Sequence, residues 1–181
     1  MYEINELKSN SDNKEIFEKA LDESGLFLEW ASDEIKDDKD LVMKAVTQNP
    51  GALEFASKRL KGDKDILMKS VDNVGWVVCY ASDELRADKD VILKAVKNDG
   101  QALYYASPEL RGDKEVVLEA VKNKGIIIKY ASLEARSDIE IASAALQQSK
   151  RDMDYVKGCL NPEIIPNEAI QAIINPPTEE K

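Results

Sequence analysis

Apolar residues recur along the chain in two alternating sets. In residues 100–124, GQALYYASPELRGDKEVVLEAVKNK, the first set is Ala102, Leu103, Ala106 and Leu110, at offsets 0, 1, 4 and 8. The second is Val116, Val117, Ala120 and Val121, at offsets 0, 1, 4 and 5. Each set marks one face of a helix, so the stretch predicts two short helices sharing an apolar side. Pro108 disfavours helical geometry at Ser107 and suits the first helical position after a Ser cap. The first helix is therefore expected over residues 101–106, with a turn or short 3₁₀ segment from Ser107 to Leu110. Where the proline is missing, the pattern also fits a helix continuous through that turn. The second helix should begin at Asp113, whose carboxylate can accept first-turn N–H groups, with Glu115 favoured by the helix dipole. It should stop near Asn123, where Gly125 offers a left-handed cap.

This pattern repeats every 25 residues. Ala-Ser recurs at Ala31-Ser32, Ala56-Ser57, Ala81-Ser82, Ala106-Ser107 and Ala131-Ser132. An aromatic precedes each pair: Trp30, Phe55, Tyr80, Tyr105 and Tyr130. An acid-base pair follows in phase at Asp38-Lys39, Asp63-Lys64, Asp88-Lys89 and Asp113-Lys114; Asp138 keeps the phase and Ile139 replaces the lysine. The expected fold is all-α, an α-solenoid of about five two-helix repeats with degenerate end caps. Residues 1–24 are expected to form an N-terminal capping helix or half repeat, 25–149 the five repeats, 150–174 a worn C-terminal capping repeat in which Tyr155 keeps phase, and 175–181 a loose tail. A single unit cannot bury its apolar face alone. Stacking lets each second helix cover its neighbour, and each buried large apolar side chain contributes roughly 1.5–3 kcal/mol. The aromatic row, Tyr80 included, is expected to be buried in that stack.

The pattern A-L-x-Y-A-S-x-E-L-x-x-D-K-x-V-V-L-x-A-V, clearest from Ala102 to Val121, resembles the bacterial and viral helical repeats catalogued as domain of unknown function 4116. The resemblance covers residues 14–149. It implies a helical binding scaffold and brings no catalytic residues with it.

Charge narrows the function further. Asp and Glu outnumber Lys and Arg by 35 to 25, a net charge of −10. Binding nucleic acid by neutralising phosphates needs the opposite excess, and anionic membrane surfaces should repel the chain. A basic partner or groove would attract it. There is no histidine, which removes the usual general base and the His-dependent nucleophile pairs and zinc sites. The expectation is a protein without catalysis, metal or cofactor. Two cysteines, Cys79 and Cys159, suit a reducing compartment. No secretory signal or apolar run of membrane-spanning length is legible, so the expected place is the cytoplasm, or another cell's cytosol after delivery.

Positions that vary between repeats are the candidate binding residues. One row runs Leu26, Gly51, Trp76, Gln101, Ile126; the other runs Glu29, Glu54, Cys79, Tyr104, Lys129. Three residues apart on the first helix, the rows are neighbours off the core face. A position that accepts Glu and Lys should be exposed, so Cys79 is expected at the surface. Leu26, Trp76, Tyr104 and Ile126 would form an apolar strip for a protein partner, with Glu29 and Glu54 selecting a partly basic one. Packing of the same side chains against an adjacent repeat is the competing reading. An acidic inhibitor that occupies a nucleic-acid groove of another protein is the alternative function, though the repeated acids alternate with lysines. The Asp-Lys-Asp triplets fit helix caps better than a cation loop. The five Ala-Ser serines, with no base beside them, fit caps or turn bonds better than nucleophiles.

Overall fold

The computed structural model describes residues 2–72 and 74–176, and among them helices and turns are the only regular structure. Each repeat has two helices joined by a short turn, at the place where a turn or 3₁₀ segment was expected. It opens with a six-residue 3₁₀ helix: Gly25–Trp30, Pro50–Phe55, Gly75–Tyr80, Gly100–Tyr105 and Gly125–Tyr130. Ala-Ser follows in extended backbone, for instance Ala31 at φ −74°, ψ 155° and Ser57 at φ −58°, ψ 159°. A single α-turn comes next at Asp33–Lys36, Lys58–Lys61 and Asp83–Arg86. In the fourth repeat this becomes a hydrogen-bonded turn after Pro108, and in the fifth the 3₁₀ helix Ala135–Ser137. The long α-helices close the repeats: Lys39–Gln48, Lys64–Val71, Lys89–Asn98, Lys114–Asn123 and Ile139–Gln148.

A continuous first helix is ruled out by what serine does. Its hydroxyl accepts the N–H three residues on, as in Ser57 with Leu60 (3.2 Å) and Ser132 with Ala135 (3.2 Å). Its own N–H donates back to the preceding repeat, from Ser57 to Lys36 O (2.9 Å), Ser82 to Lys61 O (3.2 Å) and Ser132 to Arg111 O (2.8 Å). A helix running through serine would take that N–H for its own ladder and break the bond between repeats.

The chain forms two compact units, Met1–Val91 and Ile92–Lys181, with the division inside the third long helix. The first begins with helices Ile4–Ser9 and Lys14–Glu23; the second ends with Met153–Cys159, the 3₁₀ turn Pro162–Ile164 and Glu168–Ile174. Of the tail expected at 175–181, residues 177–181 lie outside the described residues. The long helices bury the predicted 0, 1, 4, 5 set in every repeat, for example Leu41, Val42, Ala45 and Val46, and Val116, Val117, Ala120 and Val121. The aromatic row corrects the expectation of a buried core. Trp30, Phe55, Tyr80, Tyr105 and Tyr130 are all half-buried. On a short 3₁₀ helix each sits beside the extended Ala-Ser break, so one side of its ring stays in solvent.

Polar bonds repeat with the same period. The cap aspartates Asp38, Asp63, Asp88 and Asp138 use one oxygen for their own helix and the other for the previous repeat. Asp63 Oδ1 accepts from the Asp65 and Ile66 amides at 3.0 and 3.2 Å, and Asp63 Oδ2 takes Lys39 Nζ at 2.7 Å. The same arrangement joins Lys14 to Asp38 (2.5 Å), Lys64 to Asp88 (2.6 Å) and Lys114 to Asp138 (2.9 Å). Lys14 is the main influence holding the Asp38 carboxyl below its usual range. Partial burial pushes Asp63, Asp88 and Asp138 up, but the lysine and the capped amides outweigh it and all three end lower. The row begins at a neutral cap, Asn13, and ends where Ile139 replaces lysine.

An amide at the end of the long helix makes a further link. Asn123 accepts the Gly100 N–H at 3.0 Å and donates to Lys97 O at 3.1 Å; Gln148 does the same with Gly125 (2.8 Å) and Asn123 O (3.1 Å). This link corrects the role expected of the glycines. None among the described residues has positive φ. A Cβ on Gly100 would meet the Ala120 carbonyl oxygen at 2.6 Å, and Gly25 and Gly125 press on the Ala45 and Ala145 carbonyls in the same way. Glycine is required there for close approach of backbone to backbone.

Candidate functional site

A 3₁₀ helix has three residues per turn, so side chains at i and i+3 eclipse. The two variable rows therefore merge into one face on each repeat: Leu26 with Glu29, Gly51 with Glu54, Trp76 with Cys79, Gln101 with Tyr104 and Ile126 with Lys129. Leu26, Trp76 and Tyr104 are 42, 41 and 54% exposed. Glu29, Glu54 and Lys129 are also exposed. Ile126 and Cys79 are half-buried, which corrects the expectation of an exposed position for both. Burial, with the Glu54 carboxylate adding to it, pushes the Cys79 thiol above its ordinary range. Both influences disfavour the thiolate, the nucleophilic form of Cys79.

In the first unit the 3₁₀ helices Gly25–Trp30, Pro50–Phe55 and Gly75–Tyr80 pack side by side. Tyr80 donates its hydroxyl to Glu54 at 2.9 Å. Trp76 sets its ring edge-on to Tyr80, centroids 5.8 Å apart, and its far edge reaches over Gly51, 3.9 Å from where a Cβ would stand. Both readings of Trp76 are therefore partly right, since it packs on the preceding repeat and still exposes two-fifths of itself. The Glu29 side chain makes no hydrogen bond or ion pair among the described residues, and the residue in the place of Tyr80 one repeat earlier is Phe55, which has no hydroxyl to donate. Helix Ile4–Ser9 is anchored by the fully buried Leu7 and carries Lys8, whose ammonium lies 4.1 Å from the Trp30 ring centroid.

In the second unit the same register brings aromatic rings together. Tyr104 lies 5.0 Å from Tyr105 and 4.9 Å from Tyr130, centroid to centroid. Lys129 sits 4.8 Å from the Tyr130 centroid and 6.0 Å from that of Tyr155. Tyr155, half-exposed at 50%, belongs to this surface although the variable rows did not include it. Its phase, 25 residues after Tyr130, was the available signal.

The remaining chemistry-bearing residues are absorbed by the scaffold. The Asp-Lys-Asp triplets cap helices and join repeats, and the Ala-Ser serines cap turns. Among the described residues no group of three His, Cys, Asp or Glu side chains is placed to hold a metal ion, and no helix is long and apolar enough to cross a membrane. The 3₁₀ helices of the first unit can offer aromatic surfaces and carboxylates to a ligand, and those of the second unit aromatic surfaces and a lysine.

A family model described as Domain of unknown function (DUF4116) matches residues 13–61, 63–111 and 113–157, the matches starting two 25-residue periods apart. No curated protein and no solved structure matches the chain.

Proposed function

The chain belongs to the family described as domain of unknown function 4116, and from that membership and the surface just described we propose that it is a non-catalytic protein-interaction scaffold. Its partner docks on the face of the 3₁₀ helices, with Trp76 and Tyr104 as anchors and with Glu29 and Glu54 favouring a basic partner. The observation that carries this reading is the exposure of Leu26, Trp76 and Tyr104 on the variable rows of the repeat. Elsewhere the repeats bury most of their large aliphatic side chains, with Leu133, at 56% exposed, the exception. Large aromatic side chains left in solvent on a rigid surface are what partner contacts are made of. Rigidity within each unit adds to this, because cap, amide and serine bonds hold its repeats in register, and little ordering remains there to be lost on binding. The two cysteines stand as free thiols, which supports a reducing compartment such as the cytosol.

The test is affinity capture from the source organism's lysate with wild type and a Trp76→Ala/Tyr104→Ala variant whose helical content and melting are first shown to be native. A partner held by wild type and lost by the variant supports the reading. Equal capture by both overturns it, and capture that collapses with modest salt while ignoring the aromatics would favour an acidic inhibitor of a basic groove.

A further inference from the structure

The 3₁₀ helices build one kind of face twice, once in each unit. In the first unit Gly25–Trp30, Pro50–Phe55 and Gly75–Tyr80 pack in a row. In the second Gly100–Tyr105 packs on Gly125–Tyr130, and helix Met153–Cys159 packs on the latter where a further 3₁₀ helix would stand. Both rows leave large side chains in solvent, Leu26 and Trp76 in the first and Tyr104 and Tyr155 in the second.

The variable rows give the two faces different charge. Their six positions in the first unit hold two acids, Glu29 and Glu54, and no cation. Continued in phase to Arg151 and Asp154, the six in the second unit hold two cations, Lys129 and Arg151, and one acid. All five charged side chains are exposed. Within a chain of net charge −10, the second unit's face is therefore a local complement to the first's. The first unit also displays a bond that such a contact could use, the Tyr80 hydroxyl donated to Glu54 at 2.9 Å. Glu29 has Phe55 in the corresponding place and no side-chain partner among the described residues. A tyrosine hydroxyl or a cation from outside would satisfy it. Lys129 lies against the Tyr130 and Tyr155 rings and pairs with no carboxylate among the described residues.

We infer that the acidic 3₁₀ face of the first unit binds the tyrosine- and lysine-bearing face of the second unit in another copy of this chain. The inference rests on the scaffold reading and names the partner of that face. Exposed ion pairs contribute little singly. Most of the affinity therefore comes from Leu26, Trp76, Tyr104 and Tyr155, and the charges decide which face meets which. Repulsion between two acidic chains is largely screened beyond about 8 Å at physiological ionic strength. One contact leaves an acidic face free on one copy and a basic face free on the other, so assembly either closes or continues.

Sedimentation equilibrium of the full chain at about 0.15 M salt reads the mass. It should rise from the monomer's 20.2 kDa with half-association below about 1 mM. Glu29→Lys/Glu54→Lys and Lys129→Glu/Arg151→Glu should each weaken self-association at least about tenfold, because like charges then face each other. The first pair of reversals takes the net charge from −10 to −6, so a general charge effect would strengthen association instead. Mixed in equal amounts, the two variants should associate again. The reversed faces match each other, and so do the two unaltered ones. Glu29→Lys mixed with Lys129→Glu repeats the test with single changes if either double variant does not melt as wild type does; Glu29→Lys breaks no bond in the fold. A mass that stays at 20.2 kDa up to about 1 mM, association unchanged in both variants, or a mixture that remains monomeric would overturn the inference. Lysate capture of a different protein that still depends on Trp76 and Tyr104 would then leave the scaffold reading standing without self-association.

Discussion

Gly100→Ala probes the closest contact in the repeat. Gly100 opens the 3₁₀ helix Gly100–Tyr105, and an added Cβ would lie 2.6 Å from the Ala120 carbonyl oxygen and 3.4 Å from Asn123 Oδ1. Neither neighbour can yield easily. The Ala120 oxygen accepts the Lys124 N–H at 2.9 Å, and Asn123 is tied to both Gly100 and Lys97. Forcing a methyl group into a packed site costs about 1–3 kcal/mol. Against this, alanine reduces the freedom of the unfolded chain and returns about 0.4–1 kcal/mol. The net loss of roughly 1–2 kcal/mol should lower Tm by about 2–8 °C in a chain of this size. Gly158→Ala is the matched control, with no atom within 4 Å of its added Cβ on helix Met153–Cys159. There the change should raise Tm slightly, since glycine within a helix costs roughly 0.5–1 kcal/mol relative to alanine. Thermal unfolding followed by circular dichroism reads both. If Gly100→Ala stabilises as Gly158→Ala does, the backbone approach at Gly100 is looser than described and the amide link does not depend on glycine.

The double duty of the cap aspartates predicts a graded response at Asp63. Asp63→Asn keeps a good cap and loses only the ion pair with Lys39, whereas Asp63→Ala also loses the cap, a further roughly 1 kcal/mol in urea unfolding; equal losses would mean the capping bonds contribute nothing. Asp38, Asp63, Asp88 and Asp138 all have carboxyls held below their usual range. Their stabilisation is therefore complete above the ordinary aspartate value of about 4 and is lost as pH falls through the lower folded values. Tm measured against pH should fall on that acid side, and less so when all four are Asn; an unchanged profile in that variant would remove the ladder as the cause. Cys79, its thiol raised by burial and by Glu54, should react more slowly at neutral pH than a free cysteine in a Cys159→Ser background. Reaction at the free-cysteine rate would show that the thiol is neither packed nor shifted.

The period and the buried set of the long helices were legible because burial recurs at fixed offsets, and Val116, Val117, Ala120 and Val121 could hardly be placed otherwise. The first helix was harder. Over six residues, α and 3₁₀ geometry both bring i and i+3 together, so Leu26 and Glu29 were correctly paired on the wrong kind of helix. The serine N–H bond to the preceding repeat, which decides against a continuous helix, is a backbone bond with no side-chain signature. Glycine at 25, 100 and 125 was ambiguous in principle, since a left-handed cap and a close approach both exclude a Cβ. The amide row was visible and unread: Gln48, Asn73, Asn98, Asn123 and Gln148 keep the 25-residue phase, as sharp a marker as Ala-Ser. For the candidate site, residue types gave the variable face, but only coordinates could show that Cys79 and Ile126 turn half inward, that Tyr155 joins the surface, or that Lys8 covers Trp30.

The most direct test of the docking surface is site-specific photo-crosslinking in the source organism's lysate. A photoreactive residue is placed singly at Glu29, Trp76 or Tyr104 on the 3₁₀ face, and at Thr47, Lys97 or Lys122, which are exposed on the long helices. The account predicts one and the same protein crosslinked from the three 3₁₀ positions and not from the long-helix positions. Crosslinks to a partner from the long helices alone would contradict it.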